Sequence, residues 1–395
     1  MEMEQTPLSS RTHVSIFGAV NAGKSALFNK LLGQDMAIVS EFRGTTTDPV
    51  TKAMELIPYG PIAVTDTAGL GDTTAIGGER MKKTEKILNR TDFAIYAADP
   101  SDFDETAYNS MKAQFEKRRI GHILVFTKSD LGSNGVCERY PDALHVSVRD
   151  DASIERLRSL LCAQLSKYAE QSNSMIGGLL PAGATAVLVI PIDSEAPKGR
   201  LILPQVQLIR DCLDHGIKAV CVRDTELEET LKELPRVDLV VTDSQAFKFV
   251  SETVPSNTAL TSFSILLAGT KGDLREFIRG AEAIRSLKDG SRILMAEACT
   301  HNVSHEDIGR IKIPALIRKH TGAQPIFDYC VGYDFPENIS DYDLVIHCGG
   351  CMINSRAVMN RTAVCRENGV PITNYGIAIA YLSGILERSK AIFGI

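Results

Sequence analysis

The sequence predicts an α/β protein of three consecutive domains, and three observations carry that prediction. Short apolar runs alternate with amphipathic helical stretches along the chain. A tract holding Ser172, Ser174, Gly177, Gly178, Pro181 and Gly183 interrupts the alternation and reads as a linker. The residues able to do chemistry fall directly after apolar runs, where a parallel sheet gathers ligands at the carboxyl ends of its strands. The expected domains are residues 1–170 with a phosphate-loop motif, 171–260 as a small α/β module, and 261–395 as a parallel-sheet module carrying cysteines and histidines.

In the first domain, His13–Phe17 is a β-prone run that meets a glycine turn and then a helical stretch, Lys24–Leu32, stopped by Gly33. Ala53–Pro58 and Pro61–Thr65 flank Tyr59-Gly60 as a hairpin does, and Phe93–Ala97 and His122–Phe126 are further strands. Ser153–Lys167 reads as the last helix, with Ser153 as its cap and Ile154, Leu157, Leu160, Leu161 and Leu165 on its apolar face. In the second domain, strands at Ala186–Ile190, Lys218–Val222 and Asp238–Thr242 alternate with helices near 204–214, 224–234 and 244–252. Cys212 and Cys221 have no partner at metal-site spacing and read as small buried hydrophobes. In the third, strands are expected at Ser262–Leu267, Arg292–Ala296, Ile326–Val331, Leu344–His347 and Val370–Thr373. Right-handed crossovers then make its sheet mostly parallel.

Composition narrows the class. Of 395 residues, 44% are hydrophobic and 23% charged, which excludes wholesale disorder and fibrous architecture. The net charge of −6 supplies no global positive field and argues against nucleic-acid partners. No basic leader precedes an apolar segment and no apolar run approaches the ~18 residues of a spanning helix, so a soluble, cytoplasmic protein without membrane contact is expected. Nine cysteines, odd in number and scattered, point to reduced thiols or metal ligands.

Gly18-Ala-Val-Asn-Ala-Gly23-Lys24-Ser25 fits G-x-x-x-x-G-K-S between a strand and a helix. Backbone N–H groups of such a loop face phosphate oxygens, Lys24 neutralises β/γ charge, and the Ser25 hydroxyl joins Mg²⁺. Gly18, Asn21, Ala22, Gly23, Lys24, Ser25 and Ala26 are therefore the expected phosphate-side contacts. Asp66-Thr-Ala-Gly69 follows an apolar strand, which suits Asp66 to the Mg²⁺ shell and the Gly69 amide to the γ-phosphate. Thr127-Lys128-Ser129-Asp130 follows another, and the Asp130 carboxylate can accept from the N1–H and exocyclic amine of guanine, a donor pair adenine lacks. Ser147-Val148-Arg149 lies where a base-contacting turn belongs. Order and spacing together specify GTP.

These motifs, over residues 11–167, resemble the Era and MnmE branch of the translation-factor-related GTPases. The resemblance implies that Gly44-Thr45-Thr46-Thr47-Asp48 is switch I, with Thr46 on Mg²⁺, and that Asn21 helps bind K⁺ in place of an arginine finger. Lys24, Thr46 and Gly69 are then the catalytic set. Leu70 stands where other GTPases carry a water-positioning glutamine, so slow intrinsic hydrolysis is expected. Thr127 replaces the commoner asparagine, a departure expected to weaken guanine affinity without changing specificity.

Cys299-Thr-His301 follows one third-domain strand, and His347-Cys348-Gly-Gly-Cys351 follows another. If these strands are near neighbours, five soft or borderline ligands share one pocket, and Gly349 and Gly350 let the loop wrap a metal. A structural zinc would take the three cysteines and one histidine; an iron–sulfur cluster would take the three thiolates and leave one iron to a histidine, water or exogenous ligand. Cys137, Cys162, Cys330 and Cys365 lack such grouping, and His305 and Asp307 read as a helix start capped by Ser304.

Across its length the chain resembles the [FeFe]-hydrogenase maturation GTPases. That resemblance implies a scaffold that holds a [4Fe–4S] cluster on Cys299, Cys348 and Cys351, with His301 or His347 as a labile fourth ligand or near neighbour. It also implies a homodimer joined through the middle domain, radical-SAM maturases that supply a transient di-iron precursor, and an apo-[FeFe]-hydrogenase that receives it. The rival reading is a zinc-stabilised Era-like GTPase acting on RNA or ribosome assembly; the net charge and the lack of tryptophan for base stacking stand against it.

Overall fold

The computed structural model describes residues 6–33, 41–42, 49–67, 77–131, 135–169, 174–192, 199, 201–244, 246–298, 307–350 and 352–395. The chain divides into two compact units, Met1–Ser172 and Asn173–Ile395.

In the first unit the apolar runs are buried along nearly their whole length, so both sheet faces must be covered by helices. Strands β1 (Thr12–Phe17), β2 (Glu41–Phe42), β3 (Val50–Leu56), β4 (Gly60–Asp66), β5 (Phe93–Ala98), β6 (Gly121–Phe126) and β7 (Leu144–His145) form one seven-stranded sheet in the order β2-β3-β4-β1-β5-β6-β7. The expected hairpin is present as β3 and β4, antiparallel, with β2 antiparallel on its edge. The other pairings are parallel. Helices α1 (Lys24–Leu32), α2 (Gly77–Leu88), α3 (Glu105–Lys117), α4 (Val136–Arg139) and α5 (Asp151–Ala169) complete the unit. Leu27, Leu31, Leu157, Leu161 and Leu165 pack with Val14, Ile16 and Ile95 in one core, while Phe17, Tyr108, Phe115 and Phe126 pack in another. Each such side chain contributes roughly 1.5–3 kcal/mol of transfer free energy. Ser153 is not the cap of α5. The helix begins two residues earlier, Asp150 accepts the Ala152 amide at 3.0 Å, and the Ser153 hydroxyl donates to Ser147 O at 3.0 Å and Asp150 O at 2.7 Å.

The second unit holds two four-stranded, wholly parallel sheets. Strands β8 (Thr185–Val189), β9 (Lys218–Val222), β10 (Leu239–Thr242) and β11 (Ala259–Ser262) run in the order β11-β10-β8-β9. Strands β12 (Arg292–Glu297), β13 (Ile326–Val331), β14 (Leu344–His347) and β15 (Ile372–Asn374) run in the order β13-β12-β14-β15. Helices α6 (Leu203–Asp214), α7 (Leu227–Glu233), α8 (Phe247–Thr253), α9 (Phe263–Lys271), α10 (Leu274–Glu282), α11 (Ile313–Thr321), α12 (Ser355–Glu367), α13 (Tyr375–Leu382) and α14 (Leu386–Lys390) cover them.

The expected strand at Ser262–Leu267 is instead the end of β11 followed by α9. Ser262 caps that helix, accepting the Ile265 amide at 3.2 Å. Phe263, Leu266 and Leu267 pack with Ala186 and Leu188 in one core, and Ile265 and Ala268 pack with Phe277 and Ile353 in the next. Because the run Ile265–Ala268 of α9 is continuously apolar and buried, periodicity cannot tell it from a buried strand. It also joins the second and third expected domains into one unit. The linker reading of 171–183 holds no further than residue 173, since Met175 and Ile176 are buried in the core beside β8. Cys212 is buried as expected, but Cys221 is exposed on the edge strand β9. Asp307, not Ser304, caps the described helix start, accepting the Arg310 amide at 2.8 Å; Ser304 and His305 lie outside the described residues.

Candidate functional site

The first unit places its chemistry where β1 meets α1. Gly18 has φ +143°, and a Cβ there would lie 2.0 Å from Ala97 O of β5, so only glycine lets the loop pass the sheet edge. Asn21 and Gly23 are also left-handed, at φ 61° and 79°, which bends the loop into a cradle. Lys24 is buried and its Nζ folds back onto Gly18 O at 3.0 Å and Ala19 O at 2.5 Å. Asp66 is buried and ends β4 opposite Ile16 of β1, at the same strand end from which the loop departs. Thr67 donates to Ile16 O at 2.6 Å and fixes that strand end.

The Thr127–Asp130 segment is tied to the same loop. The Thr127 hydroxyl lies 2.8 Å from Ala22 O and 3.1 Å from Ala98 O, so this threonine bridges the phosphate loop and β5. Lys128, at φ 54°, donates to Asp99 at 2.7 Å. Burial opposes ionisation of Asp99, but the hydrogen bonds from Lys128 and Ser101 outweigh it and hold the carboxyl below its usual range. Ser147 donates to Asp130 at 2.8 Å and Arg149 does so at 3.3 Å; the Ser147 bond is the chief reason that the Asp130 carboxyl titrates below its usual value. An ionised, oriented acceptor is what guanine recognition needs. Thr46, Gly69 and Leu70 lie outside the described residues, as does the rest of switch I from Gly44 to Asp48.

In the second unit, β12 and β14 are adjacent and parallel, with Ala296 opposite His347. The segments leading to Cys299 and Cys351 therefore leave the sheet at the same end of neighbouring strands. Cys299, His301 and Cys351 themselves lie outside the described residues. Among the described residues no three His, Cys, Asp or Glu side chains gather as a metal site. Cys348 is described, and its sulfur accepts amides from Ala298 at 3.0 Å and Gly350 at 3.4 Å. Two N–H donors aimed at one sulfur suit a metal ligand. The Tyr375 hydroxyl is buried with no partner among the described residues; burial drives its pKa far up, and Cys348 is near enough to add to that rise. A buried donor left without a partner fits a site that takes on an anionic group.

His347 is wholly buried. Its Nδ1 sits 2.6 Å from Cys348 O and its Nε2 sits 2.8 Å from the Arg361 guanidinium. A guanidinium only donates, so Nε2 is the acceptor and Nδ1 carries the proton. Burial, reinforced by the charge of Arg361, pushes the imidazole down to about 3. Both ring nitrogens are thereby engaged. Neither Lys271 nor Arg361, both behind this loop, was singled out from the sequence; no local signal marks them.

The fold and the first site define a P-loop GTPase domain carried on a two-sheet parallel α/β unit. Residues 13–128 match the model of the 50S ribosome-binding GTPases. Residues 175–272 and 275–392 match the dimerization and tetramerization domains of hydrogen maturase F, which together take in more than half of the chain. The chain belongs to the hydrogen maturase F family. The second unit thus carries both of that family's assembly domains, where the sequence alone suggested only a dimer through the middle one. GTPase Der of Wolinella succinogenes is 35% identical over 151 residues, 36% of this chain and 31% of that protein. The tRNA modification GTPase MnmE of Ralstonia nicotianae is 33% identical over 160 residues, 38% of this chain and 34% of that protein. The chain spans about a third of the length of these curated relatives. Among solved structures, the G domain of the T. maritima FeoB iron transporter covers 39% of this chain and 99% of its own, at 20% identity and a TM-score of 0.29. No helix among the described residues is long and apolar enough to cross a membrane.

Proposed function

We propose that this protein is a cytoplasmic GTP-hydrolysing scaffold in [FeFe]-hydrogenase maturation, one that holds a [4Fe–4S] cluster and passes a di-iron precursor from radical-SAM maturases to the apo-hydrogenase. The observation that carries this reading is the Ala298 amide on the Cys348 sulfur, which ties the residue before Cys299 in sequence to the first cysteine of the H-C-x-x-C motif. Cys299, Cys348 and Cys351 supply the three thiolates, and His301 is the histidine left for the fourth position, since His347 has both nitrogens committed to Arg361 and Cys348 O. A cubane with one weakly held iron offers a place where a di-iron unit docks and leaves.

In the first unit, Ser25, Thr46 and Asp66 hold Mg²⁺, Asn21 serves K⁺, Lys24 neutralises phosphate charge and the Gly69 amide senses the γ-phosphate. Asp130 and Ser147 read guanine, and Thr127 fastens that reader to the phosphate loop. Hydrolysis is slow and K⁺-stimulated. Nucleotide state gates partner association by ordering Thr46 and the segment after Gly69.

The test is anaerobic iron–sulfur reconstitution of wild type beside Cys299→Ala, Cys348→Ala and Cys351→Ala, read by iron and sulfide content and EPR of the reduced protein. A cubane signal in wild type that each variant loses supports the reading. Stoichiometric zinc without sulfide defeats it.

A further inference from the structure

Two buried cations stand against the loop that carries Cys348. Lys271, the last residue of α9, is 6% exposed, and its Nζ donates to Gly350 O at 2.6 Å and Ile353 O at 3.0 Å. Arg361, on α12, is 4% exposed and donates to His347 Nε2 at 2.8 Å, to Gly332 O and to Asp334 O. Its guanidinium also lies 5.1 Å from the centre of the Phe335 ring. Among the described residues its hydrogen-bond partners are one neutral ring nitrogen and two main-chain oxygens; no carboxylate pairs with it. Burying a cation this way costs several kcal/mol unless negative charge arrives nearby. The groups around it that can carry such charge are three thiols, Cys330, Cys348 and Cys365, and the Tyr333 phenol.

We propose that Lys271 and Arg361 are the built-in countercharge of the metal site, offsetting the negative charge of a thiolate-bound iron–sulfur cluster on this loop and raising its reduction potential. The inference rests on the cluster reading above. Arg361 acts through His347, which it locks with Nδ1–H on the Cys348 carbonyl. Lys271 acts through the carbonyls that precede and follow Cys351 in sequence, 79 and 82 residues away from it along the chain. Reduction adds one negative charge to the cluster, and a cation in a poorly screened interior favours that form. Both are positioning residues; neither is placed as a ligand.

The experiment reconstitutes the full chain anaerobically as wild type, Lys271→Met, Lys271→Arg, Arg361→Met and Arg361→Lys. Iron and sulfide per chain are measured first, and the midpoint potential is then read by EPR-monitored redox titration. The expected result is a potential shifted to more negative values in both methionine variants at unchanged cluster content, and restored toward wild type in the charge-conserving ones. Equal potentials in wild type and Lys271→Met, with clusters intact, overturn the proposal and leave the cluster reading standing. A wild type that assembles no cluster overturns that reading, and the proposal with it. Should Arg361→Met fail to fold by circular dichroism, the Lys271 pair alone decides.

Discussion

In the first unit Lys24 folds back onto the carbonyls of Gly18 and Ala19, six and five residues before it, whereas in the second Lys271 reaches Gly350 and Ile353 from 79 and 82 residues away. Both loops sit at the carboxyl ends of parallel strands, and both turn carbonyls toward an ammonium group. The phosphate loop brings its own cation, because the helix that follows the loop carries it. The Cys348 loop borrows its cations from two helices, α9 and α12. A self-contained loop can be recognised as a motif and can work on many scaffolds; a loop with borrowed charge works only on the fold that delivers that charge.

The glycines test this contrast most strongly. Gly18→Val drives a side chain into Ala97 O and forces an unfavourable φ, so the first unit is expected to lose about 3 kcal/mol or more and its nucleotide. A Cβ at Gly349 meets nothing within 4 Å, and Gly349→Ala is expected to change stability by no more than about 0.5 kcal/mol. Thermal unfolding with a bound fluorescent guanine nucleotide for one, and by circular dichroism for the other, gives the comparison. Equal costs would mean that the Cys348 loop is packed as tightly as the phosphate loop.

Asp130→Asn removes the ionised acceptor held by Ser147. Guanine-nucleotide affinity should fall by about 10–100-fold, on the order of 1.5–3 kcal/mol, while reconstituted iron content stays at the wild-type level. Titration calorimetry with GDP checks the first half and iron analysis the second. A loss of iron would show that the two loops are not independent.

Thr127→Val deletes the hydroxyl bonds to Ala22 O and Ala98 O, and is expected to cost about 1–1.5 kcal/mol in stability of the first unit. Unchanged unfolding and unchanged nucleotide affinity would show that the threonine is no tie between base reader and phosphate loop.

The mildest effect is a pH slope in the first unit. Burial holds His13 below its ordinary value of 6.5, and its Nε2 lies 3.0 Å from Leu8 O. The unfolded chain therefore takes up a proton at a higher pH than the folded one. The stability that the neutral ring supports is present above about pH 6.5 and is lost as pH falls below it, by up to about 1.4 kcal/mol per pH unit. Denaturant unfolding at pH 7.5, 6 and 5 measures the slope, and His13→Asn should flatten it.

The sequence by itself determined the phosphate loop, the strands that flank it, Asp66 at the end of β4, the Thr127–Asp130 segment after β6, and His347-Cys348 at the end of β14. These were legible because each rests on a local pattern: a turn that demands glycine, a helix that opens on Lys24, an apolar run of strand length that ends in a polar residue. Tertiary structure alone decided the rest. It made Phe263–Lys271 a helix, since four consecutive buried apolar residues, Ile265–Ala268, carry no period of their own. It made Asp150 and Asp307 the helix-start residues, because more than one Ser or Asp within a turn can cap and backbone geometry chooses between them. It also set Lys271 and Arg361 behind the Cys348 loop, and it took both nitrogens of His347, one with Arg361 and the other with the Cys348 carbonyl. Charge acts through space, and residues that no pattern links in sequence become electrostatic partners only after the strands and helices between them have packed.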